Sequence, residues 1–466
     1  QVSADFCPPL ASLASSMTAA LAATTAPVAV GVWVRIRGVQ GKEELNGRQG
    51  CCVEHIATSG RWSVRLDDGT TFSLKEENLE ALPEPRLRLF SGSGSLQGLR
   101  SSQEDRHVKI PDFEKAARAF KMPVALGQPS AFFAVYDGHQ GFSCAEFAAK
   151  NLHTRVLRKL AAMPGALDEA AMREALIAAF RELDTEYLAR FRTAPDGSTV
   201  LVAIVAGERL FVAWAGDSRG LICRRHAAGE ATAIAITEDH RPTLASEAQR
   251  VRDAGGDVVD IGDGCFRVAQ LDFIERCREI DRAAQQGLGM IAKPPVALAV
   301  ARSMGDREFK AVTRGKDLVS AVPEVKVLEL SDAHGFFVLM SDGVTDVMTN
   351  DEIVQLLDYS MGPPLPFGMS RTAEEESEIV RLATNKLLQE ALKRGSGDNV
   401  TAITVRLQWD EPIDATPPAD GAAISTEAAG AAARASAGAL ATAAKRPLVP
   451  GPVPPAVAHK RPRGAG

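Results

Sequence analysis

Asp137-Gly138-His139 closes an apolar, aromatic run, Ala131-Phe132-Phe133-Ala134-Val135-Tyr136. The run reads as a buried strand, and Gly138 lets the backbone turn sharply where a carboxylate stands beside an imidazole. Those are the parts of a metal site, although Asp-Gly after a single strand is more often a hairpin turn. The pattern recurs, however. Phe336-Phe337-Val338-Leu339-Met340 runs into Ser341-Asp342-Gly343, and Leu210-Phe211-Val212-Ala213-Trp214 runs into Ala215-Gly216-Asp217-Ser218-Arg219. A further acid, Asp398, lies in Gly397-Asp398-Asn399 just before the strand-like Val400-Thr401-Ala402-Ile403-Thr404-Val405. If these strand ends converge, Asp137, Asp217, Asp342 and Asp398 bring several like charges into one low-dielectric pocket. Such a set is tolerated only if acids protonate or a multivalent cation neutralises them. All-oxygen ligation favours hard ions, Mg²⁺ or Mn²⁺, over zinc.

The elements that must position these acids follow from periodicity. Strands are expected at about 130–136, 198–206, 209–215, 219–225, 335–341 and 399–407, and amphipathic helices at about 142–162, 167–192, 243–254, 345–359 and 372–394. In the second helix Met172, Leu176, Phe180, Leu183 and Tyr187 keep helical spacing. Helix pairs interleaved with blocks of strands argue for an α+β layered domain rather than a parallel sheet.

An ordered series of motifs extends the case: Gly98-Leu99-Arg100 through Glu104-Asp105-Arg106, Asp137-Gly138-His139, Gly197-Ser198-Thr199 and Gly216-Asp217-Ser218-Arg219. Asp239-His240-Arg241-Pro242, Glu247…Arg250…Ala254-Gly255-Gly256, Leu298 through Asp306, Pro323-Glu324-Val325, Ser341-Asp342-Gly343…Asp346-Val347 and Gly397-Asp398-Asn399 follow. Over about residues 92 to 408 the chain resembles the metal-dependent, type 2C serine/threonine protein phosphatases. The resemblance implies an αββα sandwich, two central antiparallel sheets flanked by helices, with two metals at one end. It implies that Asp137 bridges the metals, that Gly138 offers its carbonyl, and that Asp342 and Asp398 complete a coordination shell. Glu104 and Asp105 would act largely through metal-bound water. A hydroxide generated between the ions would attack phosphorus in line without a covalent enzyme intermediate. Arg100 has the planar fork that suits two phosphate oxygens. His139 can protonate the departing serine or threonine oxygen. Asp217 and Asp346, with Asp342, match the family's weaker third-metal site, Asp346 being alternatively the N-cap of the next helix. Asp306 belongs to a family motif and reads as structural.

Departures from the pattern spare the ligands. Gln140 stands where the family usually has Gly, and Thr345 where it usually has Trp. About 25 extra residues, the insertion at about 269–293, separate Phe266-Arg267-Val268 from Leu298. Asp272 to Gln286 is charged and helix-prone, with Gly287-Leu288-Gly289 and Pro294-Pro295 ending it. It reads either as a tolerated surface insertion or, since the family carries a flap beside the cleft in this part of the chain, as a segment that selects among phosphoproteins.

The remaining sequence frames this domain. A chain of 466 residues with 45% hydrophobic and 24% charged residues can build a large core and a small additional domain. A formal charge of −6 does not make nucleic acid the default partner. Seven cysteines without a CxxC pair suggest neither a zinc finger nor a disulfide framework. They fit a reducing intracellular compartment, cytoplasmic or nuclear, and no membrane association is expected. Residues 1–29, rich in Ala, Ser and Thr, read as disordered, a targeting segment being the other reading. Residues 30–83 alternate Val32, Val34 and Ile36, then Val53, then Trp62, Val64 and Leu66, then Phe72 and Leu74, with turn signals between. That pattern fits a small SH3-like or Tudor-like β-barrel of four or five antiparallel strands, with a peptide or other ligand open to it. Trp33 and Trp62 are either a ligand platform or core. Residues 84–97, with Pro83-Glu84-Pro85 and Ser91-Gly92-Ser93-Gly94-Ser95, read as a linker before a catalytic domain at 98–408. The Ala- and Pro-rich tail at 409–466 reads as disordered, its basic clusters as solvated charge. The expected function is dephosphorylation of phosphoproteins. The alternative is an inactive phosphatase-fold scaffold whose barrel does the binding, and the completeness of Asp137, Asp342 and Asp398 speaks for the enzyme.

Overall fold

The computed structural model describes residues 28–409, apart from 31, 67–69, 82–86, 164–167, 227–228, 263, 287–294, 311–315 and 363–370. The expectations for the first 27 residues and for the tail beyond Trp409 lie outside these residues.

Strand residues alternate sides, and here both sides are apolar, so each central strand serves two cores. In Ser130–Tyr136, Ala131, Phe133 and Val135 enter one core while Phe132, Ala134 and Tyr136 enter another. The first sheet runs Glu324–Glu329, Arg209–Ala215, Val200–Ala206, Ser130–Tyr136, Arg106–Ile110, with every neighbour antiparallel. The second runs Ala231–Ala235, Arg219–Arg225, His334–Met340, Val400–Trp409, Leu87–Leu96, again antiparallel throughout. Between them lies a core that includes Phe133, Val205, Val212, Phe337, Ile403 and Val405, with the Phe133 and Phe337 rings 5.8 Å apart, edge to face. Outside the first sheet pack the helices Phe113–Ala119, Ser143–Ala161 and Glu169–Arg190; outside the second pack Asn350–Met361 and Ala373–Lys393. The result is the αββα sandwich.

Several boundaries differ from expectation. The Gly- and Ser-rich stretch read as a linker over 84–97 is instead a ten-residue strand, Leu87–Leu96, paired along its length with Val400–Trp409. Gly92 and Gly94 explain this, because a Cβ on Gly92 would collide with the backbone of Arg381 and one on Gly94 would lie 2.6 Å from Asn385 Oδ1. Small residues let the last long helix lie directly on the strand. The helix expected from 345 starts at Asn350, where Thr349 and Glu352 form a capping box. Asp346 is therefore not its N-cap. Phe113–Ala119, which periodicity did not reveal, is a short helix capped by Asp112, whose side chain accepts from Lys115 N–H at 2.8 Å.

The N-terminal strands form a five-stranded antiparallel sheet in the order Thr71–Lys75, Arg61–Leu66, Gln49–Ile56, Trp33–Ile36, Leu79–Ala81. Trp62 is 8% exposed and packs with Val34, Ile36, Val64 and Leu74, so it is core rather than a ligand platform. Val53, expected inside, is exposed: a register shift between Cys52 and Glu54 turns it outward and puts Cys52 in the core.

The insertion leaves from a closed neck. Val268 and Leu298 exchange backbone hydrogen bonds of 2.8 and 3.0 Å, and the segment between carries the helix Phe273–Gln285, anchored by buried Phe273.

Candidate active site

The strand ends do converge. Arg100, Asp137, Gly138, His139, Asp217, Asp342, Asp346 and Asp398 line one cavity of about 630 Å³, walled on its far side by Gly264–Arg267 and Ala297–Val300. Glu104 and Asp105 are not part of that lining. Glu104 braces the Asp137 turn, accepting from Gly141 N–H at 3.1 Å, and Asp105 is buried, accepting from Ser341 Oγ at 2.9 Å.

Local backbone chemistry sets each acid. Thr199 N–H donates to the Asp137 carbonyl at 2.9 Å, while Thr199 Oγ1 contacts Ser218 Oγ at 2.7 Å, tying the Asp137 turn to the Asp217 turn. Asp342 opens the single helical turn Asp342–Thr345. Asn399, adjacent to Asp398, accepts from Glu104 N–H at 2.8 Å and donates to the Gln97 and Ser102 carbonyls at 2.8 and 3.0 Å. It fastens the arginine-bearing loop to the acid, a role that its place in Gly397-Asp398-Asn399 did not disclose.

The electrostatics are those of crowded carboxylates. Burial raises Asp105 to about 6, helped by the charges of Asp342 and Asp398. Burial raises Asp217 to about 7, with Asp342 adding to it. Asp137 and Asp342 are both shifted upward, first by burial and then by neighbouring acids.

His139 is held from behind. Its Nε2 lies 3.0 and 2.8 Å from the two carboxylate oxygens of Asp306, which is 2% exposed and also accepts from Ser303 Oγ. Burial lowers the imidazole pKa, but the Asp306 carboxylate outweighs it, and the net shift is upward. With Nε2 so engaged, Nδ1 is the nitrogen left to serve the cavity. A three-stranded ribbon, Met304–Gly305, Gly197–Ser198 and Gly138–His139, brings the two residues together across 167 positions of sequence. Asp306 itself sits in the left-handed region, φ 50°. The residue read as structural is thus the partner of the imidazole.

Arg100 lines the cavity but forks onto its neighbours, Nη2 donating to Asp398 Oδ2 at 2.6 Å and Nε to the Gly397 carbonyl at 3.1 Å. Asp346 accepts from Arg241 Nη2 at 2.9 Å, and Arg241 Nε lies 3.7 Å from Asp217 Oδ2. Another group has metal-like spacing: ligand atoms of His240, Glu247 and Glu324 lie within 4.8 Å of one another. It is already neutralised, because Arg302 Nη2 stands 2.5 Å from Glu247 and 3.1 Å from Glu324, and Arg250 Nε 2.9 Å from Glu247. His240 Nδ1 accepts from Gly216 N–H at 3.2 Å, which puts the ring proton on Nε2 and removes it as a ligand.

Similarity to known proteins bears on this arrangement. Residues 90–400 match the family described as Protein phosphatase 2C. The "Probable protein phosphatase 2C 45" of Oryza sativa subsp. japonica is 33% identical over 317 residues, 68% of this chain and 86% of that protein. The integrin-linked kinase-associated serine/threonine phosphatase 2C of Homo sapiens is 29% identical over 317 residues, 67% of this chain and 70% of that one. The crystal structure of serine-threonine phosphatase 2C from Toxoplasma gondii shares the fold, with a TM-score of 0.51 at 22% identity over 68% of this chain and 95% of that chain. The chain belongs to the protein phosphatase 2C family. It is a protein-serine/threonine phosphatase.

Proposed function

We propose that the protein hydrolyses phosphoserine and phosphothreonine in proteins with the help of two divalent cations, Mg²⁺ or Mn²⁺, held by Asp137, the Gly138 carbonyl, Asp342 and Asp398. The observation that carries this reading is the convergence of Asp137, Asp217, Asp342, Asp346 and Asp398 on one cavity, with Asp137, Asp217 and Asp342 all shifted upward, first by burial and then by neighbouring acids. Carboxylates so placed repel one another and have only oxygen to offer, which suits a hard dication. Bound there, two such ions would offset the acids and acidify a water enough to make it a nucleophile near neutral pH. The chain's own groups do the rest. Arg100 presents a planar fork at the cavity wall and can exchange Asp398 for phosphate oxygens. His139, fixed through Nε2 by Asp306, delivers a proton from Nδ1 to the departing oxygen. Glu104 and Asp105 orient water from behind the wall.

Asp137→Asn and Asp342→Asn test the assignment. Phosphate release from a phosphothreonine peptide in Mn²⁺ is expected to fall on the order of a thousandfold, several kcal/mol of transition-state stabilisation. Thermal melting of the metal-free variants should stay level or rise, because like-charge repulsion is relieved. Near-normal turnover in either variant would remove these acids from the chemistry.

A further inference from the structure

The catalytic cavity has two unlike sides. One carries the carboxylates of Asp137, Asp217, Asp342 and Asp398 together with Arg100 and His139. The other, residues 264–267 and 297–300, is apolar apart from Arg267. That apolar side is preformed. Val268 and Leu298 join its two segments by backbone hydrogen bonds, and Ala301 N–H donates to the His240 carbonyl at 2.8 Å. Behind it Val268, Leu298 and Ala301 pack with Val251, Phe309 and Leu318. Phe266 stands on the same side of its strand as Val268, yet it lies outside that cluster, lines the cavity and is 41% exposed. A ring left open on a cavity wall is apolar area that a bound ligand can cover.

We propose that this wall is a subsite for the substrate residue next to the phosphorylated one, so that the enzyme selects phosphosites flanked by a bulky apolar side chain such as leucine or phenylalanine. The proposal rests on the two-metal reading of the same cavity and adds the neighbouring residue to it. Phosphoserine and phosphothreonine have short side chains, so a phosphate seated at the acids draws the substrate main chain to the cavity as well. Successive residues of an extended chain stand about 3.3–3.6 Å apart, which brings the first neighbours against the cavity walls. The cavity, about 630 Å³, has the size that encloses a drug-sized ligand and exceeds what one phosphoryl group fills. An apolar neighbour finds no partner among the carboxylates, whereas against Phe266, Leu298 and Val300 it removes apolar area from water on both sides of the contact. Arg267, the charged member of this wall, makes an acidic neighbour the competing occupant.

The test ranks neighbours. The full chain in Mn²⁺ is given phosphothreonine peptides that differ only in carrying Leu, Ala or Asp immediately before or immediately after the phosphothreonine. Steady-state kcat and KM are measured for the native chain, Phe266→Ala and Phe266→Gln. The native chain should favour Leu over Ala at one or both positions by about tenfold in kcat/KM, mostly through KM, as the burial of a few methylene groups gives. Phe266→Ala should bring that ratio to about two or less, by loss on the Leu peptide. Should Phe266→Ala fail to fold, Phe266→Gln, which keeps bulk and removes the apolar ring, should lower the ratio in the same way. A native chain that treats Leu and Ala alike, or that prefers Asp, would overturn the proposal. So would a folded variant that loses the same factor on every peptide, the mark of a structural part. No hydrolysis of any peptide by the native chain would strike instead at the proposed metal site, so the two failures are told apart.

Discussion

At His139 the sequence offered a histidine two residues after a candidate ligand, Asp137, and the fold adds what directs it. Asp306 engages Nε2 through both oxygens, and Gly197 leaves the room for that contact: a Cβ on Gly197 would lie 2.6 Å from His139 Nε2 and collide with Asp306 Oδ2. A proton delivered to a leaving oxygen matters in proportion to the basicity of that oxygen. His139→Ala is therefore expected to slow phosphoserine-peptide hydrolysis by about a hundredfold or more while slowing an activated aryl phosphate less than about tenfold. Asp306→Asn should show the same split, smaller in size, and add little in the double variant. Steady-state kinetics on the two substrates checks this, and equal losses on both would reduce His139 and Asp306 to structural parts. The acids of the cavity were legible because Asp137, Asp217 and Asp342 each follow an apolar run and Asp398 precedes one. Asp306 was not, because its function depends on a ribbon joining 138–139, 197–198 and 304–305, and no local pattern announces a pairing over such separations.

The Leu87–Leu96 strand shows where element reading failed and why. Alternating Ser and Gly has the composition of a flexible linker, yet Gly92 and Gly94 are small because the helix Ala373–Lys393 lies on them. Composition reports which side chains are missing, not what fills the space they leave. Gly92→Ala is expected to cost about 1–3 kcal/mol of stability, as overpacking in a closed interface does. Urea unfolding measures it, and an unchanged midpoint would mean that the helix–strand contact is loose. The long last helix, expected at about 372–394, and the strands buried on both faces were by contrast plain in the sequence, since helical periodicity and the apolar runs at 130–136 and 335–340 are local signals. Asp346 lost its N-cap reading to Thr349, and its carboxylate instead accepts from Arg241, 105 residues earlier in the chain.

Across the molecule, two sheets with apolar sides back and front leave their acids at the strand ends, and the sandwich gathers them at one cavity. The layered class followed from periodicity; the convergence could be expected only through the resemblance, since strand order is not written locally. Gathered acids make the metal-free fold sensitive to pH. Asp105 is raised from 3.8 to about 6 and Asp217 from 3.8 to about 7, in both cases first by burial. The folded state thus holds more protons than the unfolded one between these values. This contribution to stability is complete below pH of about 4 and is lost as pH rises through 6 to 7. In EDTA, melting temperature should therefore fall between pH 5 and pH 8, and saturating Mn²⁺ should shrink that fall; a metal-free protein with equal melting temperatures at both would contradict the crowding.

The most direct test of the central claim is phosphate release from a phosphothreonine peptide by the full chain, followed while Mn²⁺ is titrated in and then withdrawn with excess EDTA. Turnover is predicted to be negligible without metal, to rise with Mn²⁺, to vanish in EDTA and to return on re-addition. Hydrolysis that continues undiminished in EDTA would contradict the account.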